Sequence, residues 1–141
     1  MKKIAILLSL GLLFAVSCER NNGSDITHCD KNVIIDGIEY QNATDDNVSI
    51  VDVKIKGNCL KIKFGASGCD GSTWNERLNA TLCRGAGNPY WLLMFSLENN
   101  EDCSAWITKE TSFNIKDLKL QEKNNVRLHF GNTGQWILYK Y

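Results

Sequence analysis

The chain has 141 residues, a length typical of one domain, and its 43% of hydrophobic residues is typical of a globular protein rather than a disordered one. Its 16 basic and 16 acidic residues balance to a formal charge of zero, which excludes the broadly basic surface of a nucleic-acid binder. Six cysteines and a single proline are the unusual features of the composition.

The N-terminus has the organisation of an export signal. Lys2 and Lys3 precede the apolar segment Ile4–Val16, which is shorter than the about 20 residues that a membrane-spanning helix needs. The segment ends in the sequence AVSC at positions 15–18, which resembles the lipobox of bacterial lipoproteins. This resemblance implies cleavage of the signal peptide, residues 1–17, and acylation of Cys18. An ordinary secretory signal is the alternative.

Residues 18–28 form the lipidated N-terminus and, because they are polar, a predicted flexible tether. Cleavage after residue 17 would leave 14 basic and 16 acidic residues, a balance that favours no anionic partner. Glu19 rather than Asp follows Cys18, so the retention signal of some inner-membrane lipoproteins is missing. We therefore expect a protein of the cell envelope, held in the outer-membrane bilayer through acylated Cys18.

From residue 33 onward the apolar residues recur with a period of two, which is typical of β-strands. Gly57-Asn58 separates two such alternating runs and predicts a hairpin. Tyr90–Leu97 is apolar on both faces, so we expect a central strand. The predicted strands are Val33–Tyr40, Val51–Ile55, Leu60–Phe64, Trp74–Leu82, Tyr90–Leu97, Phe113–Lys116, Val126–Phe130 and Trp136–Tyr141.

No segment carries a helical apolar stripe of ten or more residues. Residues 29–141 are therefore predicted to form one all-β domain, a disulfide-stapled, immunoglobulin-like β-sandwich of about seven or eight strands. A small barrel is the alternative.

The cysteines beyond Cys18 predict a disulfide framework, because an exported chain meets an oxidising compartment. If consecutive strands alternate in direction, Cys29 and Cys59 lie at one end of the sandwich, and Cys69 and Cys103 at the other. We therefore expect the pairs Cys29–Cys59 and Cys69–Cys103, with Cys83 as the rival partner at the first end. A zinc site is disfavoured because the chain contains no C-x-x-C sequence.

The sequence contains no recognisable catalytic constellation. His28 and His129 have no accompanying motif, and Gly65-Ala66-Ser67-Gly68 lacks the spacing of a nucleophile elbow. The paired carboxylates Asp45-Asp46 and Glu101-Asp102 lie in polar loops, where such pairs are usually solvated, with weak calcium binding as the alternative. We expect a protein that is not an enzyme and has no metal or cofactor.

The glycine-rich segment Gly65–Gly71 is not a phosphate-binding loop, because the required Lys and Ser/Thr are missing. It is predicted to be a tight connection held by Cys69, with a partner-binding loop as the alternative. In that alternative, Ser67 and Asp70 are candidate contacts for a ligand or partner.

Four tryptophans offer either core packing or an exposed platform for a sugar or a protein partner. Trp91 and Trp136 lie within predicted strands and are assigned to the core. Trp106 follows Cys103 and is expected to cover a disulfide, whereas Trp74 follows the glycine-rich segment and is the candidate for exposure and contact.

The longest distinctive run is GASGCDGSTW at positions 65–74, accompanied by CDKNVIID at 29–36 and NCL at 58–60. Together with Cys103 and shorter segments at 97–99, 108–109 and 112–113, these runs resemble a group of small, uncharacterised lipoproteins of flavobacteria and related bacteria. The resemblance covers about residues 29–141 and implies the lipid anchor and the disulfides, with Cys83 outside the shared pattern. It implies no mechanism.

These observations favour a membrane-anchored lipoprotein that acts as a non-enzymatic accessory or inhibitor domain on another envelope protein. The alternative is a glycan-binding domain that uses an exposed tryptophan, and a hydrolase with carboxylate catalysis comes third. Nucleic acid is excluded as a partner by the charge balance.

Overall fold

The computed structural model describes residues 28–44 and 47–141, and this part of the chain is nearly all-β. The predicted signal peptide, Cys18, all of the predicted tether except His28, and the pair Asp45-Asp46 lie outside the described residues. No helix in the described ranges is long and apolar enough to cross a membrane. The strands are β1 Lys31–Asn32, β2 Ile34–Ile35, β3 Ser49–Lys56, β4 Cys59–Gly68, β5 Asn75–Cys83, β6 Tyr90–Glu98, β7 Ala105–Asn114, β8 Asn125–Phe130 and β9 Gln135–Lys140. The helix α1 is Gly37–Asn42, and a short 3₁₀ helix spans Lys116–Leu118.

Two sheets pack as a β-sandwich, which confirms the predicted fold class. The first sheet has the strand order β1-β7-β4-β3, and the second has the order β2-β5-β6-β8-β9. Neither sheet closes into a barrel over the residues that the structure describes. The strand count exceeds the prediction because the first strand is divided. β1 pairs in parallel with β7, and β2 pairs in parallel with β5, so the chain changes sheets at Val33.

The prediction of one strand over Val33–Tyr40 is wrong after Ile35, where the chain turns into helix α1. The cause is a capping interaction that alternation does not reveal. Asp36 has an extended backbone, and its Oδ1 accepts hydrogen bonds from the N–H groups of Ile38 and Glu39 at 2.7 and 3.1 Å. Tyr40 then donates its backbone N–H to the carbonyl of Asp36, which closes the first helical turn.

The facing sides of the two sheets form the hydrophobic core. The ring centroids of Phe64 in β4 and Phe95 in β6 lie 4.9 Å apart and connect the sheets. Strand β6 is the middle strand of its sheet, as its apolar sequence predicted. The inward-facing apolar residues of these two strands alternate along the chain and are Leu60, Ile62, Phe64, Ala66, Trp91, Leu93 and Phe95.

The predicted hairpin between β3 and β4 is confirmed, with Gly57 at a φ of 59°, which glycine adopts without strain. Strand β7 begins at Ala105, eight residues before the predicted start at Phe113. The prediction missed its first half because apolar and polar residues alternate only weakly there. Beyond the end of β8, the side chain of Asn132 bonds both backbone groups of Phe95 at 2.8 Å and prolongs the pairing with β6.

Both predicted disulfides are present. The Cα atoms of Cys29 and Cys59 are 5.5 Å apart, and those of Cys69 and Cys103 are 4.8 Å apart. Cys83 is unpaired and half-buried at the end of β5, where its partner across the ladder is Tyr90. The first bridge fastens the N-terminal segment to β4, and the second fastens the loop after β4 to the segment before β7.

Candidate functional site

The glycine-rich segment is only partly a connection, which corrects the prediction. Gly65 to Gly68 belong to strand β4, and the turn begins at Cys69. Gly71 has a φ of 71°, and a Cβ atom there would lie 2.9 Å from the Lys109 side chain. The turn over residues 69–73 therefore folds tightly and presents its backbone N–H groups on one side.

Those N–H groups surround the carboxylate of Glu101. The prediction that this carboxylate is solvated is therefore wrong. Oε2 accepts hydrogen bonds from the N–H groups of Cys69 and Gly71 at 2.6 and 3.1 Å and from that of Asp70 at 3.2 Å. Oε1 accepts from Thr73, through its N–H at 3.3 Å and its hydroxyl at 2.9 Å. Desolvation raises the pKa of Glu101, but the donors of Gly71, Cys69 and Thr73 outweigh it and lower this pKa to about 2.

Trp74 is buried, with 6% of its surface exposed, so its prediction as an exposed contact is wrong. The indole packs beside Phe64 at 6.0 Å between ring centroids, and the ammonium group of Lys109 lies 5.5 Å from the ring centroid. Its Nε1 bonds no group among the described residues. The aromatic ring thus serves the core under the turn and offers no surface to a ligand.

Ser67 and Asp70 are exposed, but they do not form one site with Trp74. Asp70 Oδ1 accepts a hydrogen bond from the N–H of Ser72 at 2.8 Å, and hydrogen bonding by the side chain and then the backbone of Ser72 lowers the pKa of Asp70. The carboxylate therefore stabilises its own turn. Ser67 lies on the outer face of β4, where its partner across the ladder is Trp106.

A partly buried network of ion pairs adjoins the turn. Glu76 in β5 is 7% exposed, and its carboxylate binds the ammonium group of Lys31. Lys109 Nζ lies 3.4 Å from the other carboxylate oxygen and donates to the carbonyl of Gly71 at 2.7 Å. Desolvation raises the pKa of Glu76, but the hydrogen bond and charge of Lys31 lower it overall. The network connects β1, β5, β7 and the turn, and so acts in folding.

Two further tryptophans are exposed: Trp136, which was predicted to lie in the core, and Trp106, which was expected to cover a disulfide. Trp136 is 49% exposed, because β9 is the edge strand and residue 136 points away from the core. It packs against His129 and Tyr90, at centroid distances of 4.7 and 5.2 Å. Trp106 is 59% exposed and lies over Gly65. Trp91 is buried as predicted.

A groove that the sequence did not reveal lies between the β5–β6 loop and the segment that joins the 3₁₀ helix to β8. It consists of two adjoining cavities of about 580 and 450 Å³, which share Pro89, Leu120 and Lys123. Four cationic side chains line it, and no carboxylate does so among the described residues. We call this surface the basic groove and define it by Arg84, Pro89, Lys119, Leu120, Lys123 and Arg127.

Hydrogen bonds from the core hold one wall of the basic groove. The indole N–H of Trp91 donates to the carbonyl of Leu118 at 2.8 Å. The backbone N–H of Leu120 donates to the hydroxyl of Tyr141, also at 2.8 Å. Lys119 lies 5.2 Å from the ring centroid of Tyr141. This wall is therefore preformed, which lowers the entropy lost when a ligand binds.

The floor of the basic groove is apolar and its rim is cationic. Pro89 and Leu120 are half-buried, whereas Arg84, Lys123 and Arg127 are exposed. The guanidinium of Arg127 stacks 4.4 Å above the ring centroid of Trp136, so its position is restrained. Arginine in such a position can bind a carboxylate with two hydrogen bonds, whereas lysine attracts a carboxylate as a point charge. The groove can thus hold an anionic ligand with an apolar part.

Sequence reasoning missed this groove because its cations come from three separate segments. Gly85, Gly87 and Pro89 indicate a loop, but nothing in the local pattern places Arg84 beside Lys119 and Lys123. A formal charge of zero further hides the local excess of positive charge. Of the other predicted sites, Asp45-Asp46 lies outside the described residues, and the described residues contain no cluster of three potential metal ligands.

Comparison with known proteins supports the fold. No protein-family model and no curated protein matches the chain. Among solved structures, it is similar to a protein of unknown function, DUF1344, from Bacteroides vulgatus ATCC 8482, with a TM-score of 0.55 and 14% sequence identity. The match covers 79% of this chain and 56% of the Bacteroides protein, so this chain spans only part of that neighbour's length. At this identity the likeness extends to the fold alone.

Proposed function

We propose that this chain is a lipid-anchored binding domain of the bacterial cell envelope, without enzymatic activity, which holds a partner protein in its basic groove. The lipobox-like segment at 15–18 supports attachment through acylated Cys18. The polar residues after it would act as a flexible linker between the membrane and the domain. The two disulfides support an oxidising compartment. The outer membrane is the proposed location.

The charge and shape of the basic groove carry the proposal. Four cations around an apolar floor, with no carboxylate of the described chain in the lining, complement an acidic segment that also carries an apolar side chain. Arg127 and the neighbouring Trp136 are residue types that often dominate the binding energy of interfaces. We therefore propose that the occupant is an acidic segment of a second envelope protein.

Site-specific photo-crosslinking of the full chain in its own membranes tests this proposal. A photoreactive residue replaces Gln121, which is exposed beside the groove, and in a control replaces Lys54, which is exposed on the other sheet. We expect one protein to crosslink from position 121 and not from position 54. The double variant Arg84→Glu/Lys123→Glu should lose the crosslink, whereas Lys54→Glu/Lys63→Glu should retain it.

Charge exchange then distinguishes a specific partner from a bystander. Changing the acidic residues of the crosslinked segment to lysine should restore binding to Arg84→Glu/Lys123→Glu. Equal crosslinking from positions 121 and 54, or crosslinks to lipid alone, would contradict the proposal.

The lipid anchor has a separate test. We expect mass spectrometry of the mature protein to find Cys18 at the N-terminus with acyl chains, and Cys18→Ala to release the domain from outer-membrane fractions. An unmodified N-terminus created by cleavage elsewhere would support the ordinary secretory signal instead.

A further inference from the structure

A second surface, on the outer face of the other sheet, has a different chemistry. We propose that Trp106 and the cleft beside it bind a sugar ring of a neutral glycan. This inference is independent of the basic groove, because the two surfaces share no residue.

The indole of Trp106 packs against the bare backbone of Gly65. A Cβ atom on Gly65 would lie 2.6 Å from Cζ2 of the Trp106 ring and 2.9 Å from Nε1. Such distances are too short for real contacts, so only glycine at position 65 lets the ring lie where it does. Part of the ring, around Cζ2, Cε2 and Nε1, is thus covered by β4, while 59% of the Trp106 surface is exposed. The result is an aromatic platform of fixed orientation.

A cleft of about 550 Å³ adjoins this platform, within the size range of small-ligand sites. Ser49 and Ser67 lie in its lining, and their hydroxyl groups bond no other group among the described residues. Asn99 is held in place, since its amide donates to the carbonyl of Ser67 at 2.7 Å and accepts from the N–H of Glu101 at 2.9 Å. One amide hydrogen of Asn99 is left for a ligand.

These groups suit a neutral sugar better than an ion. The C–H groups on one face of a pyranose ring are weakly positive, and the face of an indole ring is negative, so the two faces attract each other. Ring hydroxyls can exchange hydrogen bonds with serine and asparagine side chains. No cation lines the cleft among the described residues, and the Glu101 carboxylate is already bonded by the turn.

Binding of neutral hexasaccharides to the full, lipidated chain in detergent tests the inference. The probes are cellohexaose, laminarihexaose, mannohexaose and chitohexaose, and the readouts are calorimetry and tryptophan fluorescence. We expect at least one probe to bind and to shift the fluorescence. Trp106→Ala should weaken binding by about tenfold or more, which corresponds to the loss of one stacked ring.

Gly65→Ala is the sharper variant, because it keeps Trp106 but displaces the ring from the sheet. Gly65→Ala should weaken sugar binding while the melting curve of the protein stays cooperative. If the Gly65→Ala protein does not fold, Trp106→Leu takes its place in this test. Two control variants should bind the sugar as the parent chain does. They are Trp136→Ala, which removes another exposed tryptophan, and Arg84→Glu/Lys123→Glu in the basic groove. Absence of binding to all four probes, or binding unchanged by Trp106→Ala, would overturn the inference.

Discussion

The side chain of Glu101 accepts a hydrogen bond of 2.6 Å from the backbone N–H of Cys69. Glu101 also lies two residues before Cys103, which is the disulfide partner of Cys69. The turn over residues 69–73 is therefore joined twice to the segment 101–103, once by a covalent bond and once by a carboxylate. Backbone N–H groups that converge in this way normally form an anion-binding site. Here the chain supplies the anion itself, so the turn has a structural role.

Stability should depend on the ionisation of Glu101. Its pKa falls from an ordinary value of 4.5 to about 2 in the folded protein, so the folded state favours the charged form. The stabilisation is complete above about pH 4.5 and is lost as the pH falls towards 2. Glu101→Gln should lower the melting temperature at neutral pH, and the difference from the parent chain should shrink over this interval.

Thermal melts between pH 2 and 7 measure this effect. Asp102→Asn is the matched control, because Asp102 is exposed and adjacent. Parallel pH profiles for Glu101→Gln and the parent chain would show that the hydrogen bonds to the turn do not stabilise the charged carboxylate.

Replacement of Trp74 should affect folding and leave binding unchanged. Because the indole is buried and its N–H bonds no described group, Trp74→Phe should cost less than about 1.5 kcal/mol of unfolding free energy. Trp74→Ala should cost about 3–5 kcal/mol through the cavity it leaves. Urea unfolding measures both, with Trp106→Phe as an exposed control. A fully stable Trp74→Ala protein would contradict the burial of this ring.

Each disulfide should contribute measurably to stability. The bridges join residues that are 30 and 34 positions apart, and loops of this length correspond to about 3–4 kcal/mol in the loop-entropy model. We expect a loss of this size from Cys29→Ala/Cys59→Ala and from Cys69→Ala/Cys103→Ala, and a smaller one from Cys83→Ser. Peptide mapping without reduction should recover the two bridges, and a bridge that involves Cys83 would refute the pairing.

The cap of helix α1 should make a small, local contribution to the free energy of unfolding. Asp36→Ala removes the acceptor of the Ile38 and Glu39 N–H groups and should cost about 1 kcal/mol. Asp36→Asn should be nearly neutral, because asparagine caps helices as well as aspartate does. Hydrogen exchange at residues 38 and 39 locates the effect, and equal exchange in both variants would argue against a capping role.

Alternation in the sequence predicted most of the strands, the sandwich and both disulfide pairs. The reason is that a period of two places every second side chain on the same face, so runs such as Leu60–Phe64 show a buried side directly. Strand direction then decides which cysteines share an end. The prediction failed at Val33–Tyr40, where the side chain of Asp36 caps a helix, since capping hydrogen bonds leave no periodic signal.

By itself, the sequence predicted a lipobox-like export signal, which stays a prediction, and a disulfide-bonded β domain, which the structure contains, because these depend on composition and short-range order. Only the tertiary structure decided which tryptophans are exposed. Alternation says that two residues share a face, but not whether another sheet covers that face. Thus Trp74 is buried and Trp106 exposed. The same holds for the basic groove and for Glu101, whose partners are distant in sequence and meet only through folding.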